Sequence, residues 1–237
     1  MVSRLMRYWN QDNFEGLIQV ADTLEADPRM VALADYCRKR EAGMRKDAFR
    51  SLSVFLEQVK QLSDEEKDEI VDRILDLDFR HKSHQFLSQP IWNNLITPTL
   101  DRWKGNPNAP ARALFWDGFY RRNNEALRLV LAFNPEDHYV RTLLIDRICI
   151  AEVEYAVHHI ENNTLLVELD QIEAWLSAGA ELLIACQDRQ ECAQIEAEWR
   201  ELRRLIDDWK EFKQSTKSSF PAWCRENHRS HNRYGFQ

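Results

Sequence analysis

Residues 45–62 read RKDAFRSLSVFLEQVKQL, and the apolar positions Ala48, Phe49, Leu52, Phe55, Leu56, Val59 and Leu62 recur every three to four residues. That spacing puts them on one side of a helix with 3.6 residues per turn, whereas a half-buried strand would need a period of two. The following stretch, 63–78, reads SDEEKDEIVDRILDLD. Ser63 and Glu66 stand at the capping-box spacing, in which each side chain bonds the other residue's backbone N–H and so starts a helix. Behind that start, Ile70, Val71, Ile74 and Leu75 form a second inward stripe, and the outer side is strongly acidic.

The same grammar extends in both directions. Upstream, Phe14, Leu17, Ile18, Ala21 and Leu24 make a stripe over about 13–26. Asp27-Pro28 then supplies a cap and a residue suited to the first turn, and Met30, Leu33, Ala34 and Cys37 continue inward until Gly43. This predicts a helical hairpin. Downstream, Pro90, Pro98, Pro107 and the Gly105-Asn106 pair are expected to break 81–109 into short, irregular pieces. Helices resume over about 110–122 and 123–133. Asn134-Pro135 with Asp137 is expected to start a long helix reaching about Glu161. Two further helices, about 168–187 and 189–213, close the body, the last with Cys192, Ile195, Trp199, Leu202, Ile206 and Trp209 as its stripe. The expected fold is therefore all-α, with about nine or ten helices in antiparallel hairpins stacked into one body. An N-terminal helical subdomain at 1–80, a Pro-containing joint at 81–109, a C-terminal helical subdomain at 110–213 and a basic, irregular tail at 214–237 make up the chain. Phe220, Trp223, Tyr234 and Phe236 could pin that tail.

Composition agrees. Six Gly and seven Pro in 237 residues leave too little turn chemistry for many hairpins, and 44% hydrophobic with 30% charged residues is ordinary for a folded chain. No apolar run approaches the roughly 18 residues of a spanning helix. Arg4 and Arg7, with no apolar segment behind them, lack the organisation of a secretory signal, so a soluble, cytoplasmic chain is expected. Cys37, Cys149, Cys186, Cys192 and Cys224 are odd in number and contain no C-x-x-C pair, which reads as reduced, buried thiols.

Two segments resemble the second helix of a tetratricopeptide repeat. In the first, Asn13-Phe14-Glu15-Gly16 leads through Leu24 to Asp27-Pro28. In the second, Glu125-Ala126-Leu127 leads through Leu131 to Asn134-Pro135. Pro28 and Pro135 do not fall on multiples of the roughly 34-residue repeat, and there is no third copy. The resemblance implies stacked antiparallel helix pairs and a protein- or peptide-binding role, as an adaptor whose groove takes a peptide.

The chain contains no phosphate-binding Gly-rich loop, G-x-G-x-x-G or G-x-S-x-G elbow, and no cysteine in a catalytic setting, so neither an enzyme nor a cofactor is expected. The net charge is −7, and five Lys or Arg against one Glu from Lys213 onward leave the body more acidic still. Phosphate recognition needs clustered Lys and Arg, so no nucleic-acid partner is expected and a basic protein suits better. Arg38, Lys39, Arg40, Arg45 and Lys46 form the basic cluster of the body, at a predicted helix end where cations offset the dipole. The candidate partner surface is Asp64, Glu65, Glu66, Asp68, Glu69, Asp72 and Asp76 on the 63–78 helix; the alternative for these groups is a solvated face. A bacterial immunity protein, which caps the basic surface of a toxin, is the particular case expected. The alternative is a metal-dependent enzyme or regulator around Glu154, His158 and His159, with Glu154 and His158 four apart on one helix and His81 and His84 available to complete a site. Trp92, Trp103 and Trp116, with Phe115, Phe119 and Tyr120, are either interface anchors or core.

Overall fold

The computed structural model describes residues 12–230 apart from 82, 84, 85, 107, 111 and 187–189, and describes only the backbone of 12–15 and 191. His84, Pro107, Tyr234, Phe236 and the Phe14 side chain thus lie outside the described parts. The fold is all-α: among the described residues there are eleven helices and no strand. They gather into two compact units that divide between Arg121 and Arg122. No helix among the described residues is long and apolar enough to cross a membrane.

The first unit holds α1 (Asp12–Leu24), α2 (Val31–Glu41), α3 (Arg45–Lys60), α4 (Asp64–His81), α5 (89–103) and α6 (Ala113–Arg121). Its helix starts are local chemistry. Asp27 accepts from the Arg29 N–H at 3.0 Å, and Pro28 opens a 3-10 turn, Pro28–Met30, ahead of α2. At α4 the Ser63 N–H donates to the Glu66 carboxylate at 2.9 Å and the Glu66 N–H donates to Ser63 Oγ at 3.2 Å, the reciprocal pair of a capping box. α2 ends on Gly43 at φ 72°, where the Gly43 N–H donates to Arg40 O and the Met44 N–H to Lys39 O. This double bond pattern needs a left-handed residue, which costs glycine nothing. α2 packs along both α1 and α3. Leu17, Val20, Ala21, Leu24, Leu33, Cys37, Leu52, Phe55, Ile70, Ile74 and Leu75 are all buried in one core. Each fully buried Leu, Ile or Phe there contributes roughly 1.5–3 kcal/mol. Ile18 sits at the edge of that face instead, 37% exposed.

The 81–109 stretch is more regular than its prolines suggest. Pro90 occupies the first turn of α5, where a missing N–H costs nothing. Pro98 lies inside the helix, directly after a π-helical stretch, Trp92–Ile96, in which the Thr97 N–H reaches back to Trp92 O. An interior proline lacks an N–H and crowds the carbonyl four residues earlier; widening the preceding turn by one residue absorbs it without breaking the rod. α5 thereby buries Ile91, Leu95, Ile96, Leu100 and Trp103.

The second unit holds α7 (Asn124–Phe133), α8 (138–156), α9 (Leu169–Ile184), α10 (Ala193–Gln214) and α11 (Phe220–Glu226). Asn123 caps α7, and Asp137 caps α8 by accepting from the Val140 N–H at 3.0 Å. α8 carries a π-helical stretch, Asp146–Ile150, and stops at Ala156, short of the expected end near Glu161. A 3-10 turn, Ile160–Asn162, follows and is closed by Asn163 at φ 62°. The stop lets Val157 and Ile160 both turn into the core, and asparagine is among the few side chains that tolerate a left-handed backbone. Asn163 also ties down the last helix, accepting from the Phe220 N–H at 2.6 Å and donating to Ser218 O at 3.0 Å.

The segment after Gln214, read as irregular, therefore contains a docked helix. Ser219 caps α11, Pro221 stands in its first turn, and Phe220, Trp223 and Cys224 are buried against Trp209 and Phe212 of α10. The α10 stripe packs within its own unit: the Trp199 indole N–H donates to Leu176 O of α9 at 3.0 Å.

Candidate functional site

The acidic side of α4 turns out to be heavily paired inside the first unit. Asp64 lies 3.5 Å from Arg102 and 3.8 Å from Lys67. Asp68, recessed from solvent, accepts from Arg102 of α5. Glu69 pairs with Arg29 at 3.1 Å. Asp72 accepts from the Trp116 indole N–H at 2.5 Å and lies 4.0 Å from Arg112. Asp76 accepts from Arg112 at 2.5 Å and pairs with Arg80 at 2.8 Å. Glu66 is engaged in the capping box, and Glu65 faces solvent. Asp78, wholly buried, accepts from the Tyr120 hydroxyl at 2.8 Å. Arginines 34 and 36 residues away in sequence, and the Trp116 indole 44 residues away, thus take the carboxylates on the flank of α4 that a reading of charge density places in solvent. Of the candidate partner surface, Asp64 and Glu69 keep side chains more than half exposed, at 61% and 67%.

The basic cluster is paired in the same way. Arg38 reaches Asp22 at 2.9 Å and Glu25 at 2.6 Å, Lys39 reaches Asp35 at 2.6 Å, and Arg40 and Arg45 lie over the Phe49 ring. The aromatic cluster is core: Trp116 is wholly buried, Phe79, Phe115 and Tyr120 pack on it with edge-to-face and tilted contacts, and Phe119 packs edge-to-face on Phe79.

Asp27 is a densely bonded carboxylate of the first unit. The Arg29 side chain donates to it at 2.9 Å, and Arg73 lies 3.5 Å away. Those bonds hold its carboxyl below the usual range, the Arg29 side-chain hydrogen bond being the largest cause. For an acid lowered in the folded state, the stabilisation is complete above the unfolded value of 3.8 and is lost as the pH falls through the folded one. Asp27→Asn keeps the cap but loses the charge. It is expected to cost about 1 kcal/mol at pH 7, with the gap to the parent chain closing below the unfolded value; urea unfolding across that range checks it.

Glu154, His158 and His159 do not converge. Because α8 ends at Ala156, Glu154 and His158 no longer share a helix face, and His158 and His159 are exposed with their rings edge to face, 4.9 Å between centroids. His81 ends α4 in the first unit. Among the described residues, no group of three or more His, Cys, Asp or Glu is placed to hold a metal ion.

A different feature, absent from the charge-based reading, is the outer side of α7. Its sequence NEALRLVLAF is apolar at seven of ten positions, more than one buried stripe requires. Ala126 and Leu127 face the core, while Leu129 is 50% and Phe133 80% exposed, one helical turn apart. The signal was in the sequence: apolar residues occupying both sides of a short helix. No family model matches the chain, and no curated protein or solved structure matches it.

Proposed function

We propose that this chain is a non-enzymatic protein that binds another protein, and that the outer apolar side of α7 is the surface that does so. The carrying observation is Phe133, four-fifths exposed and stacked one turn from a half-exposed Leu129. Apolar side chains at i and i+4 on a helix are the anchors that seat in a partner's apolar groove, and large aromatic anchors supply most of the energy of such contacts. Neutralisation of a toxin, as by an immunity protein, is the particular case of this reading suggested by the acidic body. The recessed carboxylates of α4 would have to give up Arg102 and Arg112 to meet a basic partner, which favours α7 over α4 as the contact.

The test is to mix the purified chain with the product of the adjacent gene at low and moderate salt. A complex that persists at moderate salt, weakened at least tenfold by Leu129→Asp with Phe133→Asp and unaffected by Asp64→Lys with Glu69→Lys, is the expected result. Absence of a complex at both salts overturns the reading. A complex lost at moderate salt and abolished by the α4 pair instead returns the contact to the acidic side.

A further inference from the structure

α7 ends without a cationic residue of its own to offset its carbonyls. α2, α3, α4 and α6 each carry Arg, Lys or His in the last turn, whereas the last turn of α7 is Val-Leu-Ala-Phe. The final carbonyls of a helix lack intrahelical donors and together bear about half a negative charge. Here the Asn134 N–H closes back on Val130 O at 2.8 Å, and the chain leaves through Asn134, Pro135 and Glu136, all exposed. The Glu136 side chain is 68% exposed, and the Phe133 ring at the helix end is more open still.

The charged groups around this end are engaged or turned inward. Arg128 pairs with Glu125 at 3.6 Å, on the earlier part of α7. Arg141 of α8 is buried, at 7% exposed, and donates to Pro135 O. His138, with a side chain 20% exposed, stands 3.9 Å from Glu136 Oε2, and the Asp137 carboxylate caps α8. An open aromatic ring, the carbonyl end of a helix and an exposed carboxylate thus follow one another over 133–136.

Each of these groups attracts a cation: the ring through its quadrupole, the helix end through its dipole and the carboxylate through its charge. On the reading that α7 is the contact surface, we infer that its partner is basic where it meets Phe133, with an Arg or Lys seated between the Phe133 ring and the Glu136 carboxylate. Leu129 is then the purely apolar anchor, and the end of α7 reads charge. Arg suits the place better than Lys, because a planar guanidinium stacks on a ring while its edge donates to a carboxylate. An acidic chain, with a net charge of −7, thereby meets a basic partner at an open carboxylate and leaves the recessed Asp68 and Asp76 of α4 with their arginines.

The experiment uses the full chain and two fluorescein-labelled amphipathic helical peptides that share one leucine side, flanked by arginines in one and by glutamates in the other. Anisotropy at low salt gives the affinities, and circular dichroism checks the fold of each variant. The arginine peptide is expected to bind at least tenfold tighter than the glutamate peptide. Glu136→Lys should weaken it at least fivefold, and Phe133→Leu should weaken it more than it weakens the glutamate peptide. Glu69→Lys, the same change of charge on α4, should alter it less than twofold. Equal losses from Glu136→Lys and Glu69→Lys would mean attraction to net charge alone and overturn the cation site. Equal binding of the two peptides, lost for both in Leu129→Asp with Phe133→Asp, also overturns it but leaves α7 as an apolar contact. Binding of neither peptide, or binding indifferent to that double substitution, overturns the α7 reading and the cation site together.

Discussion

Trp116→Ala should be the most damaging single substitution in the first unit, lowering its stability by about 3–5 kcal/mol. The side chain is wholly buried, and its removal opens a cavity among Phe79, Phe115 and Tyr120 that these rings, already packed against one another, cannot collapse to fill. Two polar contacts go with it. Asp72 loses the indole N–H that donates at 2.5 Å, and the Arg112 guanidinium loses the ring face it covers 4.2 Å from the centroid. Trp116→Phe separates the terms, because it keeps most of the buried area and deletes the N–H. Its cost should be about 1–2 kcal/mol, since Asp72 is partly open to water and can recover hydration. Urea unfolding, with hydrogen exchange followed at amides of α4 and α6, measures both. A Trp116→Ala loss under about 1 kcal/mol would show that the cluster is not the keystone of that core.

The contrast between these contacts and the helix starts explains what the sequence could and could not disclose. Asp27, Ser63 with Glu66, and Asp137 cap their helices through groups two or three residues away, so their effect is written in adjacent letters. The stripe of α3 is legible for the same reason. The fate of the α4 carboxylates is not, because Asp68, Asp72 and Asp76 are satisfied by Arg102, Trp116 and Arg112 across tertiary contacts that no local pattern encodes. Pro98 misleads in the opposite direction: the rule that proline breaks helices holds for a strict α-helix, and a π-helical stretch escapes it. The pairing of Glu154 with His158 assumed a helix running past α8 to about Glu161, and its stop at Ala156 depends on Val157 and Ile160 finding the core. The outer side of α7 is legible locally, in a surplus of apolar residues beyond what one buried stripe needs.

In the second unit, the corresponding effect is expected at Gly179, a position where adding a single methyl group should destabilise rather than help. On an exposed helix Gly→Ala gains about 1 kcal/mol from helix propensity. Here a Cβ would meet Cys149 Sγ at 2.8 Å, Cys149 Cβ at 3.0 Å and Trp199 Cδ1 at 3.0 Å. None of these can swing aside: Cys149 is a short, wholly buried side chain on the π-helical stretch of α8, and Trp199 is anchored by its indole bond to Leu176 O. The α9 backbone approaches α8 this closely only because position 179 has no side chain. Gly179→Ala should therefore cost about 1–3 kcal/mol net, and Gly179→Val more, by forcing the two helices apart. A double-mutant cycle isolates the cause. Cys149→Ala alone leaves a small cavity and is expected to be mildly destabilising. Combined with Gly179→Ala it removes the sulfur the new methyl would strike, so the double variant should be more stable than the sum of the two single losses by at least about 1 kcal/mol. Additive losses would mean that the close approach at Cys149 does not set the spacing of α8 and α9, and that the glycine is there for another reason.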